Sequence, residues 1–382
     1  LGSVVLLTAV PLLSPSAASA VDFGKPGEKV DLVIGYQPYY TESWSGVVNN
    51  GKQFWKKHLP EGSTAEFQVG LQGSVIVNAM TGEKQHIGYM GDMPAIASTF
   101  RNLPDRGGTD IRIVAALGTS KQQCNIFLVR NDAPQFKDGK EAVKWMDGKT
   151  TSAPHGACTD RFARLAFDKA GIKPRRYLNQ NIEVITTNFR AGKLDAAAIW
   201  EPTATKIAKA GLARRAASGE DFDAYDGAFM VMLNDLIQQR PDVVKGWLNA
   251  ELDAQLFLAD LNNADEVAAM AEAQTEQIDK KVLWAALYAG PAGTTKLTLD
   301  FAVTERAAEI GIEIIVAQAG DCRTQQCEQS DHGHNSLPAT TLPKGEHAHG
   351  QQQQPSWSCY ADIKSIESST TKLYQKNHES SD

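Results

Sequence analysis

After its first 20 residues the sequence has no apolar run near the ~20 residues that a membrane-spanning helix needs, which argues against a bundle of spanning helices. It is also short of positive charge. Lys and Arg number 38 against 45 Asp and Glu, giving a net charge of −7. Arg175-Arg176 and Arg214-Arg215 are isolated pairs, and no basic stripe is interleaved with aromatics, so nucleic acid is not expected as a partner. Cysteine is sparse, at five residues. A thiolate paired with His155 has no third orienting group in sight, so no turnover is expected. The histidines form no closed ligand set, and neither a metal nor another cofactor is expected. What the chain does have is bulk: 42% hydrophobic residues over a length that buries a large core and divides into two domains.

The opening residues, 1–20, are small and apolar, with Val4-Val5-Leu6-Leu7 at the centre and Ala18-Ser19-Ala20 at the end. They read as the h-region and cleavage site of a secretory signal peptide, although neither a basic n-region nor a Met precedes them. Cleavage near Ala20 then gives an exported, periplasmic chain. No cysteine follows Ala20, which argues against a lipid anchor.

The chain is organised around Gly70 to Ser98. Gly70 and Gly73 let the backbone bend, Ser74 is placed to cap, and Val75, Ile76, Ala79 and Met80 repeat at helical spacing until Gly82. A short strand follows at His86 to Met90, and Gly91-Asp92-Met93-Pro94 opens the next helix. Asn188 to Pro202 repeats the layout: a helix stopped at Gly192, polar residues, then the small-residue strand Ala196 to Trp200. One device used twice, about a hundred residues apart, predicts two facing lobes. Helix N-termini at strand ends present free N–H groups and a positive dipole end, a cradle for a small ligand. The same pattern also serves plain α/β packing.

Other elements follow in order. Val30 to Gln37 reads as the first strand and Asn49 to Leu59 as a helix burying Phe54 and Trp55. Ile111 to Leu117 is a strand, and Asn125 to Arg130 an alternating strand after the first crossing into lobe two. After the turn Asp147-Gly148-Lys149, His155 to Asp160 leads into a helix with Phe162, Leu165 and Ala166 on its apolar face, capped by Thr159 or Asp160 and ending at Gly171. This turn is read as the lobe-two counterpart of Gly73-Ser74. Phe229 to Leu233 reads as the return crossing, and Pro241 to Leu258, Asp265 to Ala289 and Leu297 to Val316 as helices that pack Trp247 and Trp284.

The strand Val33-Ile34-Gly35-Tyr36-Gln37, the Gly73-Ser74 turn, Ile87-Gly88 leading to Pro94, Asp147-Gly148-Lys149 and Gly192 to Pro202 occur together in one order. In that order and spacing, over residues 30 to 315, the chain resembles the nitrate/sulfonate/taurine class of ABC-transporter substrate-binding proteins. The resemblance implies an α/β, two-lobed periplasmic binding protein of the type II clamshell kind, with two hinge crossings. It implies a monomer that takes a small-molecule solute to a membrane permease and its ATPase. Lobe one then covers 25–125 and 226–318, and lobe two 126–225. The segment after the first strand would line the cleft, bringing Gln37, Tyr39 and Tyr40, whose rings and amide suit a small organic solute. The other cleft residues are Gly73, Ser74, Asp92, Cys124, His155, Cys158, Thr159, Asp160, Trp200 and Glu201. The tyrosines also fit the lobe interior, and the acidic residues also fit helix caps turned away from the cleft.

For ligand, the resemblance points to a sulfonate, taurine or nitrate, with helix N-termini suited to the anionic end. Asp92, Asp160 and Glu201 would repel a bare anion and pair with an ammonium or amidine group. A taurine-like sulfonate therefore ranks above nitrate, and a nitrogen-containing or cationic solute, such as a pyrimidine precursor of thiamine, stays open. So does an enzyme of this fold that makes that precursor. Cys124 and Cys158 either pair or both line the cleft, and Cys322 and Cys327 form a plausible local pair. Residues 319–382, rich in His and Gln with Gln351 to Gln354 consecutive, read as a largely disordered tail.

Overall fold

The strand β1 (Asp31–Tyr36) runs parallel to β2 (Thr64–Val69) on one side and to β3 (Ile87–Gly91) on the other. The helices α1 (Ser45–Lys52) and α2 (Gly73–Thr81) precede β3, and α3 (Asp92–Arg101) follows it directly. These elements belong to a computed structural model that describes residues 21–101, 108–275 and 278–288, the side chains of Phe100 and Arg101 excepted. After β4 (Ile111–Ser120) the chain leaves this sheet through residues 121–125.

The second sheet is built by β5 (Ile126–Arg130), α4 (Gly139–Trp145), β6 (Thr150–Ala153), α5 (Cys158–Ala170), β7 (Arg176–Asn179), α6 (Ile182–Arg190), β8 (Ala196–Ile199), α7 (Thr203–Lys209) and β9 (Ala213–Ser218). Residues 219–225 carry the chain back. There β10 (Asp226–Leu233) enters the first sheet, followed by α8 (Asn234–Gln239), α9 (Pro241–Ala259), α10 (Ala264–Thr275) and α11 (Lys280–Tyr288). The strand orders are β2-β1-β3-β10-β4 and β7-β6-β8-β5-β9. Position by position the two sheets match. In each, three parallel strands are followed by an antiparallel fourth, β10 or β5, which is the first strand to arrive from the other sheet. The result is an α/β fold of two lobes joined by two crossings.

Small residues let the helices down onto the strands. Gly35 and Gly88 are paired in register. A Cβ on Gly88 would stand 2.8 Å from Met80 Sδ and 2.9 Å from Ile76 Cγ2, and one on Gly35 would stand 2.6 Å from Ile76 Cγ2. Ile76 and Met80, both fully buried, therefore seat α2 only because those two strand positions lack side chains. Each burial stabilises by about 1.5–3 kcal/mol. In the second sheet Ser152 and Ala197 take the matching pair.

Several expectations change. The helix expected over residues 49–59 starts at Ser45 and breaks at Gln53, whose φ of 56° is left-handed; a 3₁₀ turn then holds buried Trp55, with Phe54 half-buried. Gln72, not Ser74, occupies the N-cap of α2, and it makes no side-chain cap bond. β5 does not alternate, because four of its five residues are buried between two neighbouring strands and the helices. Phe229 to Leu233 lies inside β10, and the return crossing precedes it. The helix expected over 265–289 is two, α10 and α11. Trp247 is fully buried and Trp284 half-buried. The signal peptide, the helix expected from Leu297, the Cys322–Cys327 pair and the tail lie outside the described residues.

Topology also reassigns one counterpart. The helix α5 follows β6, which pairs with β7 and β8 as β1 pairs with β2 and β3. The turn at His155 to Asp160 thus matches the loop after β1. The true match of Gly73 is the β7–α6 turn, and the match of Gly91-Asp92 is Trp200-Glu201.

Candidate functional site

The two lobes meet where strands end. The chain leaves β1 through Gln37 to Tyr40 and a 3₁₀ turn, Thr41–Ser43. Trp200, just past β8, donates from Nε1 to Tyr39 O at 2.8 Å, and Thr41 N donates to Glu201 O at 3.2 Å. Arg161 of α5 reaches across to Asp92 at the start of α3, Nη2 to Oδ2 at 2.8 Å. Cys124 in the first crossing is disulfide-bonded to Cys158 at the start of α5, with Cα atoms 6.2 Å apart. That resolves the two readings of this pair in favour of the bond. A Cβ on Gly91 would stand 3.6 Å from Cys158 Sγ and 3.8 Å from the Tyr40 ring, so the end of β3 faces both.

The expected site residues divide. Tyr39, Tyr40, Asp92, Cys124, Cys158, Trp200 and Glu201 come together at this junction. Gln37 is buried and donates from Nε2 to Tyr89 O at 3.2 Å, while Trp44 packs in the lobe interior. Gly73 is buried against Pro94 and Met90, and Ser74 beside it is exposed. His155 stacks on Tyr177, ring centroids 4.7 Å apart, and burial holds its imidazole below the usual value. The hydroxyl of Thr159 is fully buried and has no hydrogen-bond partner among the described residues.

Two of the three acidic candidates are answered inside their own lobe. Ala157 is the N-cap of α5 and makes no side-chain bond; Asp160 instead accepts from Gly156 N at 3.0 Å, Arg164 Nε at 2.9 Å and Tyr177 OH at 2.7 Å. Glu201 accepts from Thr205 N and Thr205 Oγ1, each at 2.9 Å, and is ion-paired with Arg215 of β9. Burial pulls the Arg215 guanidinium down to about 10. Asp92, at the topological place of Glu201, accepts from Met93 N at 2.6 Å through Oδ1 and is answered at Oδ2 from the opposite lobe.

Sequence reading missed the rest of the cluster. Glu42 lies in the 3₁₀ turn and Asp226 opens β10, both almost wholly buried beside Tyr40 and Asp92. Tyr40 OH donates to Glu42 Oε2. Burial first, and then the neighbouring carboxylates, push Tyr40 and Asp226 well above their ordinary values; burial raises Glu42 to about 7. Glu42 and Asp226 lie against each other, and burial moves each of them more than the other does. The available signals were weak: Glu42 sits two residues past Tyr40, and Asp226 follows the second crossing. Arg161 falls on a helix whose apolar pattern reads as packing alone.

Two five-stranded sheets of matching order, joined by two crossings and meeting at their strand ends, define a periplasmic binding protein fold. In fold the chain is similar to the alkanesulfonate-binding protein of Xanthomonas axonopodis pv. citri, with a TM-score of 0.57 and 18% identity over 77% of this chain and 94% of that one. It is likewise similar to the nitrate-binding protein of Synechocystis PCC 6803, with a TM-score of 0.58 and 16% identity over 69% and 71%. The NMT1-like family profile matches residues 25–272, and the chain belongs to the NMT1-like family. A protein of Brucella abortus (strain 2308) is 24% identical over 236 residues, 60% of this chain and 67% of that protein. The taurine-binding periplasmic protein of Escherichia coli K12 is 22% identical over 234 residues, 60% and 66%.

Proposed function

We propose that this protein is an extracytoplasmic solute receptor of an ABC importer, a monomer that closes two lobes on a small organic solute and hands it to a membrane permease and its ATPase. Residues 25–125 with 226–318 form one lobe, and 126–225 the other. The observation that carries the reading is the Asp92–Arg161 pair, because a charged contact 2.8 Å long between two separately built sheets supports their closing on each other. The apolar opening residues that end at Ala18-Ser19-Ala20 support export to the periplasm.

The protein binds and does not turn over. Its ligand by relationship is a small sulfonate, taurine or nitrate, since relatives carry those names. A second reading, a nitrogen-containing or cationic solute, is favoured by one observation: Glu42, Asp92 and Asp226 crowd the junction around one guanidinium.

A thermal-shift screen of the full chain against sulfonates, taurine, nitrate, bicarbonate, carboxylates and small amines tests the proposal. A ligand at a hundredfold excess over its Kd adds about 2.7 kcal/mol and raises Tm. A shift with any of these solutes is the expected result. No shift across the set overturns the receptor reading, and product formation from a bound solute overturns binding without turnover.

A further inference from the structure

Three carboxylates from one lobe meet at the junction, and the donors around them are few. The Arg161 guanidinium is directed at Asp92 Oδ2, at 2.8 Å, and at Tyr225 O, at 2.5 Å. The Tyr40 hydroxyl serves Glu42 Oε2. Apart from the contact between the two carboxyls themselves, no N–H or O–H among the described residues reaches Glu42 Oε1 or either oxygen of Asp226. Glu42 is 1% and Asp226 3% exposed, so bulk water does not supply the missing donors. Buried acceptors left in this state are costly, and a fold that retains them leaves them to be completed by water, an ion or a ligand.

We propose that Glu42 and Asp226 are the acceptors for a protonated nitrogen group, an ammonium or amidinium, carried by the solute. Asp226 sits beside the Cys124–Cys158 disulfide, its carboxylate within 4.8 Å of both sulfurs. The next residue after Cys158 is Thr159, whose buried hydroxyl also lacks a partner among the described residues. With its sulfurs bonded to each other, this corner offers a ligand carboxylates and hydroxyls, and no thiolate. A cation entering here favours the ionised form of the Glu42–Asp226 pair and displaces its proton, whereas an anion would meet the Asp92 carboxylate and a pair of acids that any further negative charge opposes. The inference rests on the receptor reading and narrows its ligand.

Calorimetric titration of the full chain with a matched pair separates the two claims. Taurine carries an ammonium where isethionate carries a hydroxyl, and the two are otherwise alike at the sulfonate end. Taurine is expected to bind roughly tenfold or more tightly, the share of one charge-assisted hydrogen bond, and ethylamine and acetamidine to bind detectably. Equal binding of taurine and isethionate leaves the receptor and overturns this inference; silence from every probe overturns both. A response to Ca²⁺ or Zn²⁺ in place of amines also overturns it.

The variants Asp226→Asn and Glu42→Gln remove the charge and keep the shape. Each is expected to abolish the taurine preference and, in the free protein near neutral pH, to raise Tm, because the folded state no longer buries an acid that is ionised in the unfolded chain. A merely structural carboxylate would behave in the opposite way, losing Tm on substitution. A lowered Tm with an intact amine preference therefore counts against the proposal.

Discussion

Two places in the first lobe bury carboxylates completely, and burial pushes a glutamate up to about 7 in each, yet their surroundings differ. Glu251 of α9 accepts from Tyr89 OH at 3.0 Å, Gln255 Nε2 at 2.8 Å and Asn49 Nδ2 at 3.4 Å, with Trp247 Nε1 bonded to the same tyrosine oxygen at 3.0 Å. Its neighbours are neutral donors that tie α1, β3 and α9 together. Glu42 faces Asp226 and Asp92 instead, and three of the pair's four oxygens meet no donor from the rest of the described chain. Equal shifts thus have unequal meanings: one acid is completed by the fold and the other is not. Completion marks a structural role and its lack marks a place for a ligand.

The largest expected effect breaks the completed site. Glu251→Ala would strand the Tyr89 hydroxyl and the Asn49 and Gln255 amides, and urea unfolding should register a loss of about 4 kcal/mol. Glu201 belongs to the same class, since Arg215 and Thr205 complete it. Glu201→Ala leaves half-buried Arg215 without its countercharge and should cost about 2 kcal/mol in the same assay. If either substitution is neutral, the division between completed and uncompleted carboxylates loses its basis.

A pH series sharpens the comparison. A carboxyl raised from 4.5 to about 7 keeps its proton in the folded state while the unfolded chain has already released its own. Stability is therefore full below about pH 4.5 and is lost as the pH rises through 7, by on the order of 3 kcal/mol for Glu251 alone. Glu42 and Asp226 shift in the same direction and steepen the decline. Glu251→Gln should flatten the profile in part, and Glu251→Gln with Asp226→Asn should flatten it further. A profile that rises from pH 5 to 8 would contradict the assignment.

Much of the frame could be read from the chain because it is written in local signals. Gly82 and Gly192 stop their helices, the apolar strands follow at once, and the repeat of that device foretold two lobes. Gln53 and the break after Thr275 were illegible, since a left-handed non-glycine residue and an interruption between two apolar helix patterns carry no consistent residue type. Which turn answers which was also beyond spacing. The turns before α2 and α5 both set small residues ahead of an apolar helix, and only strand pairing tells them apart. Asp92, Cys124 and Cys158 were found because they stand in recognisable turns. Glu42 and Asp226 look like ordinary polar loop residues until the two crossings bring them, 184 positions apart, against one another.

The smallest expected effect falls on the contact between the lobes. In Asp92→Asn, Arg161 loses its charge-assisted bond across the junction but is not stranded, because Glu42 and Asp226 remain beside it and are relieved of one like charge. The two changes offset, so global stability should move by less than about 1 kcal/mol. What should change is the balance between closed and open lobes: without the cross-lobe carboxylate, the ligand-free protein should expand, read as a larger radius of gyration in small-angle X-ray scattering. Adding a bound solute should restore the compact value, since its contacts bridge the same gap. A loss near that of Glu251→Ala would place Asp92 with the carboxylates that hold a lobe together, and an unchanged radius would mean that the junction is held closed by Trp200, Thr41 and the disulfide instead.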